Sequence, residues 1–183
     1  MADDVNFNSA IEKVLKHEGG FVNTRYDKGG ATNYGISLNF LKSLGKLGDL
    51  NDDGRIDEND IKIIDKEEAI KIYKKEIWDK EGYGRINNEI VAEAIFDFAV
   101  NLGPVKAHKL IQKAINLHNT ESILKEDGLL GNDTICAINI SNPLKFMLFF
   151  RSVVIWHYIQ ITEKDASQKK FINGWLKRVW GGV

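Results

Sequence analysis

The chain contains a single cysteine, Cys136, in 183 residues. An internal disulfide is therefore excluded, and folding does not depend on an oxidising compartment. Cys136 lies in an apolar run and has no histidine at a helpful spacing, so the sequence predicts a small buried residue and not a nucleophile. The four histidines, at positions 17, 108, 118 and 157, lack His-x-x-x-His or similar spacing, which argues against a zinc amidase or peptidase.

The chain also has no large excess of positive or of negative charge. Lys and Arg number 25 against 26 Asp and Glu, for a net charge of −1, so nothing in the balance indicates a nucleic-acid partner. The longest apolar stretch, 144–161, is interrupted by Lys145, Arg151 and His157, which favours a core helix over stable membrane insertion. The N-terminus has no basic region followed by an apolar run, and we expect synthesis in a cytoplasm without a signal peptide.

The composition is that of an ordinary globular protein, with 43% hydrophobic and 28% charged residues. Its length allows one sizeable core, so we expect one domain, 1–183, and a monomer. Apolar residues recur mostly at helical spacing, which predicts a mainly α fold.

The most informative stretch is 16–36. Phe7, Ile11 and Val14 repeat at helical spacing, and two glycines directly after Glu18 end the predicted helix. Glu18 therefore lies in a last turn, where the helix dipole opposes its ionisation. The segment 27–30, Asp-Lys-Gly-Gly, is a turn signal, and 32–36 can form the return arm of a small hairpin.

Glu18 and Asp27 could then face each other across a gap wide enough for a sugar ring. Glycoside hydrolysis needs that pair: one carboxyl group donates a proton to the leaving oxygen, and a second, ionised one attacks, activates water or stabilises developing positive charge. Glu-Gly-Gly alone is commonly only a capping turn. The complete string is far more specific than its first three letters.

That string is Glu18-Gly19-Gly20-Phe21, followed by Asp27-x-Gly29-Gly30-x-Thr32-x-x-Gly35-Ile36. It resembles the signature of glycoside hydrolase family 108, the N-acetylmuramidases found mainly among phage endolysins. The resemblance implies a lysozyme-like domain that cleaves the peptidoglycan strand between N-acetylmuramic acid and N-acetylglucosamine, leading to lysis of the host cell. It implies release through a separate holin-type protein and action on the wall in the periplasm.

The same resemblance implies the site residues. Glu18 matches the catalytic glutamate of the family. The order Glu, Asp, Thr also resembles phage-type lysozymes, which implies that Asp27 is the second carboxylate and Thr32 a water-positioning hydroxyl. Tyr34, within the string, is assigned to substrate binding. So is Asn101, although its motif leaves two alternatives open.

The motif around Asn101 is Asp97-x-Ala99-Val100-Asn101-x-Gly103-Pro104, which again resembles the family. Asp97 and Asn101 project from one helix at adjacent-turn spacing, and each either closes a hydrogen-bond network in the core or lines the cleft. The cleft is favoured for Asn101.

Two further patterns follow in the region 97–183, which resembles the peptidoglycan-binding-type half of the family. The segment 127–134 is similar to the Asp-Gly-x-x-Gly-x-x-Thr string of peptidoglycan-binding modules, but its length and the lack of a linker argue against a separate wall-binding domain. Trp175 and Trp180, in the predicted closing helix, either pack on the core or stack on a sugar, and core packing is favoured.

An inserted segment, 46–64, contains a calcium-loop pattern at 49–60. Oxygen ligands occur at the EF-hand positions, glycine at the sixth place makes the sharp turn, and an apolar residue occupies the eighth. The predicted ligands of one structural Ca²⁺ are Asp49, Asn51, Asp53, the carbonyl of Arg55, Asp57 and Asp60. The last ligand is usually glutamate, so we expect weaker affinity. The alternative is an acidic solvated loop.

The sequence therefore predicts a mainly α, single lysozyme-like domain with a small β-hairpin and an EF-hand-like loop insertion. The rival function is a non-catalytic, calcium-stabilised peptidoglycan-binding module. It would explain 49–60 while treating Glu18 as a helix end.

Overall fold

The computed structural model describes residues 2–18, 31–118 and 123–181, and within these the side chains of 2–5, 17 and 18 are not described. The fold is mainly helical with one small antiparallel sheet, as predicted. Cα packing divides the chain into two compact units, Met1–Lys80 and Glu81–Val183. The single-domain assignment stays a prediction.

Within its described residues, 2–18 and 31–80, the first unit combines four α-helices with a two-stranded hairpin. Its elements in chain order are α1 (Ala2–Glu18), β1 (Thr32–Asn33), β2 (Ile36–Ser37), α2 (Leu38–Ser43), α3 (Glu58–Ile63) and α4 (Lys66–Tyr73). A 3-10 turn, Gly45–Gly48, follows α2, and α4 continues into a π-helical turn, Lys74–Asp79. Val14, Leu41 and Ile61 are completely buried and belong to the core of this unit.

Two helices of the first unit begin at a side-chain cap of a residue type that is common at helix starts. The Ser37 hydroxyl accepts the backbone N–H of Phe40 at 3.1 Å, and the Asp65 carboxylate accepts that of Glu68 at 2.8 Å. Each cap satisfies a backbone donor that has no partner within its helix. Local sequence therefore decides where α2 and α4 begin.

The second unit consists of α-helices and short 3-10 turns in its described residues. A 3-10 turn, Tyr83–Arg85, leads into α5 (Glu89–Leu102), α6 (Pro104–His118), α7 (Asn132–Ile140) and α8 (Pro143–Lys164); a second 3-10 turn, Ala166–Phe171, precedes α9 (Ile172–Val179). Helix α8 contacts both α6 and α9, and α5 contacts α6. Phe150 and Val154 of α8 are completely buried.

By length and composition alone, α8 is apolar enough to cross a membrane, with 33% of its most apolar window buried. Buried core helices of soluble proteins meet the same criterion. Its assignment as a core helix stays a prediction.

Cys136 is exposed, which corrects the prediction that it is buried. Helix α7 buries Thr134, Ile135, Ala137 and Ile138. The apolar run around Cys136 exceeds what one helix face can bury, so its thiol lies on the outer face.

Candidate functional site

Helix α1 is described as far as Glu18, so the predicted helix is confirmed up to that residue. The two glycines predicted to end it lie outside the described residues. Phe7, Ile11 and Val14 are at most 3% exposed, and the Phe7 ring meets Trp78 edge-on with centroids 5.5 Å apart. This buried face fixes the helix axis. The side chain of Glu18 and the whole of Asp27 lie outside the described residues, so their catalytic roles stay predictions.

The hairpin is confirmed, but its turn differs from the predicted one. Strand pairing joins Thr32 to Ser37 and Asn33 to Ile36, so the predicted single return arm, 32–36, contains β1, the turn and the first residue of β2. Tyr34 and Gly35, with φ of 48° and 78°, form the turn between them. Two successive positive φ angles are the arrangement of a type I′ hairpin turn. The predicted turn at 27–30 lies outside the described residues.

Side chains from other elements of the first unit hold this turn. The Tyr73 hydroxyl donates to the backbone carbonyl of Tyr34 at 3.0 Å. Asn33 is only 6% exposed, and its Nδ2 donates to the carbonyls of Ile61 and Ile64 at 3.1 and 2.8 Å. Those carbonyls belong to the end of α3 and its C-cap residue, and the Ile61 carbonyl also accepts the N–H of Ile64 at 3.4 Å. The strand that carries Thr32 and the turn that carries Tyr34 are thus anchored on both sides.

Asn101 lies near the C-terminal end of α5 with its side chain exposed. Its Oδ1 accepts a hydrogen bond from the Tyr158 hydroxyl at 2.9 Å. The Tyr158 ring stacks on Trp175 with centroids 4.9 Å apart and 19° between the planes. Burial raises the pKa of Tyr158 to about 12, so its hydroxyl stays a donor and fixes the orientation of the amide. The Nδ2 group of Asn101 is then directed away from Tyr158.

Asp97 follows the other alternative and closes a network in the second unit. It is 5% exposed, and its Oδ2 lies 3.4 Å from Nε of Arg178 on α9. A buried carboxylate needs such a partner. The interaction therefore links α5 to the closing helix, and Asp97 is structural.

The loop 49–60 is organised by its own carboxylates. Asp49 accepts backbone N–H groups of Asp53 and Gly54, at 3.1 and 2.9 Å. Asp60 is fully buried and accepts three, from Leu50 (2.8 Å), Asn51 (3.4 Å) and Asp57 (2.8 Å). Asp52 and Gly54 take positive φ, 57° and 83°, which makes the sharp turn.

The residues of this loop meet only some requirements of a calcium site. The donor set is chemically suitable, because carboxylate, amide and carbonyl oxygens are the ligands that Ca²⁺ prefers. Asp60, however, is already occupied by backbone donors. Across the described ranges, no three His, Cys, Asp or Glu side chains are grouped closely enough to hold a metal. The predicted ligands therefore stay a prediction.

Sequence reasoning missed a buried network around the 127–131 turn. Gln112 of α6 accepts the N–H of Gly128 at 2.9 Å and donates to the Asp127 carboxylate at 2.9 Å and the Leu129 carbonyl at 3.0 Å. Gly128 has φ +83°, and a Cβ there would lie 2.7 Å from the carbonyl oxygen of Val105. Only glycine fits this close approach. A polar residue within the buried stripe of α6 was the available signal.

His108 completes the network. It is 1% exposed; Nδ1 lies 3.0 Å from the Gly128 carbonyl oxygen, and Nε2 lies 2.8 Å from the Tyr83 hydroxyl. A carbonyl can only accept, so Nδ1 carries the proton and Nε2 of the neutral ring accepts from Tyr83. Burial lowers the pKa of His108 and raises the pKa of Tyr83. The described geometry therefore favours a neutral imidazole.

A family model described as "Glycosyl hydrolase 108" matches residues 11–103. The chain belongs to the glycosyl hydrolase 108 family. The matched segment of this glycosyl hydrolase 108 protein contains Glu18, Asp27, Thr32, Tyr34 and Asn101. Membership makes it a glycoside hydrolase, although it does not identify the bond cleaved.

A second family model, described as "Predicted Peptidoglycan domain", matches residues 106–180. The match falls within the predicted 97–183 region. It is far longer than the 127–134 string, which on its own did not indicate a separate wall-binding domain. This glycosyl hydrolase 108 protein is therefore a peptidoglycan hydrolase.

Among solved structures, the chain is similar to the structure of Brucella abortus SagA. The TM-score is 0.75 at 28% identity, over 96% of this chain and 90% of that one. No curated protein matches the glycosyl hydrolase 108 chain.

Proposed function

We propose that the protein is an endolysin-type N-acetylmuramidase that hydrolyses the glycan bond between N-acetylmuramic acid and N-acetylglucosamine. The observation that carries this proposal is the family match over 11–103, which includes Glu18 on α1. In the proposal Glu18 is the general acid. Its predicted position in a last helical turn would favour the protonated form, because the C-terminal end of a helix carries partial negative charge.

The remaining roles follow from the chemistry of glycoside hydrolysis. Glu18 donates its proton to the glycosidic oxygen as the bond breaks, and Asp27, ionised, stabilises the developing oxocarbenium ion, attacks it or activates water. Thr32 positions the water. The anchored hairpin supports this role, because a held strand keeps a hydroxyl in one place. Tyr34 and Asn101 bind the glycan.

The biological setting belongs to the same proposal. The protein is made in the host cytoplasm, reaches the wall after a holin-type protein permeabilises the membrane, and acts as a monomer to lyse the cell. The family-level likeness to endolysins supports this setting.

The test compares wild type with Glu18→Gln on purified sacculi, with release of reducing sugar as the measurement. Glu18→Gln cannot donate the proton, so we expect activity to fall at least ~10³-fold. Glu12→Gln, on an exposed position of the same helix, is the matched control and should retain activity. Equal rates for wild type and Glu18→Gln would refute the assignment. Binding of sacculi by wild type without sugar release would favour the non-catalytic module.

We also propose that the loop 49–60 binds one structural Ca²⁺ through the predicted oxygen ligands. The partly buried Asp49 carboxylate, the turn at Gly54 and the oxygen-rich composition support it. In this proposal Asp60 exchanges backbone N–H partners for the ion, or serves only as the anchor of the loop. Chelation would lower stability more than it would switch activity.

A further inference from the structure

A cavity of about 480 Å³ opens beside α9 in the second unit. Its lining residues are Asn173, Leu176, Lys177 and Trp180. They follow one another at spacings of three, one and three residues, so they form a single stripe along one face of the helix. Trp180 closes the C-terminal end of this stripe and is 61% exposed. An exposed tryptophan at the edge of a cavity corrects the prediction that it packs on the core.

Arg151 of α8 holds the Trp180 ring from one side. Its guanidinium carbon lies 5.5 Å from the centroid of the ring. The Arg151 Nε atom is inaccessible to solvent and has no hydrogen-bond partner among the described residues. The guanidinium group therefore interacts with the face of the Trp180 ring as a cation–π contact. Because the contact fixes the ring before a ligand arrives, little conformational freedom remains to be lost on binding.

The chemistry of the stripe matches a charged saccharide. An aromatic face packs against the C–H face of a pyranose, while an exposed amide such as that of Asn173 both donates to and accepts from hydroxyl and acetamido groups. Lys177 adds a positive charge, and Lys169 and Lys170 are exposed on the preceding 3-10 turn. Peptidoglycan strands carry carboxylates on their lactyl-linked peptides, so the charges are complementary.

We infer that this cavity, lined by Asn173, Leu176, Lys177 and Trp180, is a subsite for one pyranose ring of an anionic peptidoglycan strand. Trp180 stacks on the sugar, Asn173 bonds its polar groups, and Lys177 pairs with a carboxylate. The match of the peptidoglycan domain over 106–180 includes all four residues. The inference deepens the proposed function and rests on it for the glycan, because it assigns part of the strand-binding surface to α9.

The test measures sedimentation of the protein with purified sacculi in the Glu18→Gln background, where the strand is not consumed. Trp180→Ala should weaken binding about tenfold, as truncation of an aromatic anchor does. Trp180→Phe keeps a ring and should retain most of the affinity. Trp156→Ala is the matched control, because Trp156 is 50% exposed on α8 but does not line the cavity.

Lys177→Gln tests the charge separately. It should weaken binding about threefold at low salt and leave it nearly unchanged at high salt, because an exposed ion pair is screened. Circular dichroism and thermal melting check that each variant is folded. If Trp180→Ala does not fold, Trp180→Phe still tests the effect of changing the ring. Binding by Trp180→Ala equal to that of its parent, or an equal loss for Trp156→Ala, would overturn the subsite.

The two proposals fail in different ways. If the muramidase assignment is wrong, wild type releases no products that end in reducible N-acetylmuramic acid, yet the Trp180 variants still differ in sedimentation. If only the subsite is wrong, wild type releases sugar and Trp180→Ala binds sacculi normally.

Discussion

The loop 49–60 and the turn 127–131 both bend the chain with glycine, but they differ in where most of their hydrogen-bond partners lie. In the loop, Asp49 and Asp60 accept backbone N–H groups from the loop itself. In the turn, Asp127 accepts one such group, from Leu129, and the other partners are Gln112 and His108, which lie on α6 and are buried. A self-contained loop can be identified from its own letters, whereas a turn held by distant side chains cannot. The two regions also differ in burial, because the loop is largely exposed whereas the partners of the turn belong to the core.

The largest expected effect is on the buried network. Gln112→Ala should lower the free energy of unfolding by about 3 kcal/mol, because it leaves the Gly128 N–H and the Leu129 carbonyl without their partner. Asn51→Ala in the exposed loop, the control, should change it by no more than about 0.5 kcal/mol. Urea unfolding in the presence of EDTA measures both. Equal losses would break the distinction between the two regions.

The second prediction concerns the effect of Ca²⁺ on the stability of the loop 49–60. A ligand present at 100 times its Kd adds about 2.7 kcal/mol to the stability of the state that binds it, so Ca²⁺ should raise the Tm of the wild-type protein. Asp49→Asn should abolish the rise, and Asp52→Asn, at a neighbouring position outside the predicted ligand set, should preserve it. Asparagine tolerates the positive φ of Asp52.

Calorimetric titration of the wild type with Ca²⁺ is the direct check on this prediction. A flat titration and an unchanged Tm would identify 49–60 as an acidic solvated loop.

Acid should have a smaller effect, confined to the turn. Burial lowers the pKa of His108 in the folded state, so the unfolded state binds the proton more readily. The contribution of neutral His108 is complete above its ordinary pKa of about 6.5 and is lost as pH falls through the lowered folded pKa. Glu81, 3.9 Å from Nδ1, partly opposes this shift.

His108→Gln removes the titrating group and should flatten the dependence of unfolding free energy on pH below 6.5. His157→Gln, at a half-buried histidine of α8, is the comparison variant. Identical pH profiles for wild type and His108→Gln would show that the imidazole does not control acid stability.

The predictable parts of the molecule were those with local causes. The caps at Ser37 and Asp65 depend on residues within one helical turn, and α1 is helical up to Glu18, the last residue described before the gap. The Tyr34–Gly35 turn was not predicted, because the glycine pair at 29–30 is a stronger local signal than a tyrosine. Its anchors come from Tyr73 and Asn33, which no nearby pattern indicates.

Exposure was the harder property to predict. Cys136 and Trp180 belong to residue types that are usually buried, but the face that a helix presents depends on what packs against it. Asp97 and Asn101 differ for the same reason: Arg178 and Tyr158, more than 50 residues away along the chain, determine their partners.

The most direct test of muramidase activity is mass spectrometry of soluble products after digestion of sacculi and borohydride reduction. The proposed reaction leaves N-acetylmuramic acid at the reducing end, so wild type should release muropeptides ending in the reduced muramic acid, and Glu18→Gln should release none. Products that end in reduced N-acetylglucosamine, or in a muramic acid that borohydride does not reduce, would contradict hydrolysis at the proposed bond.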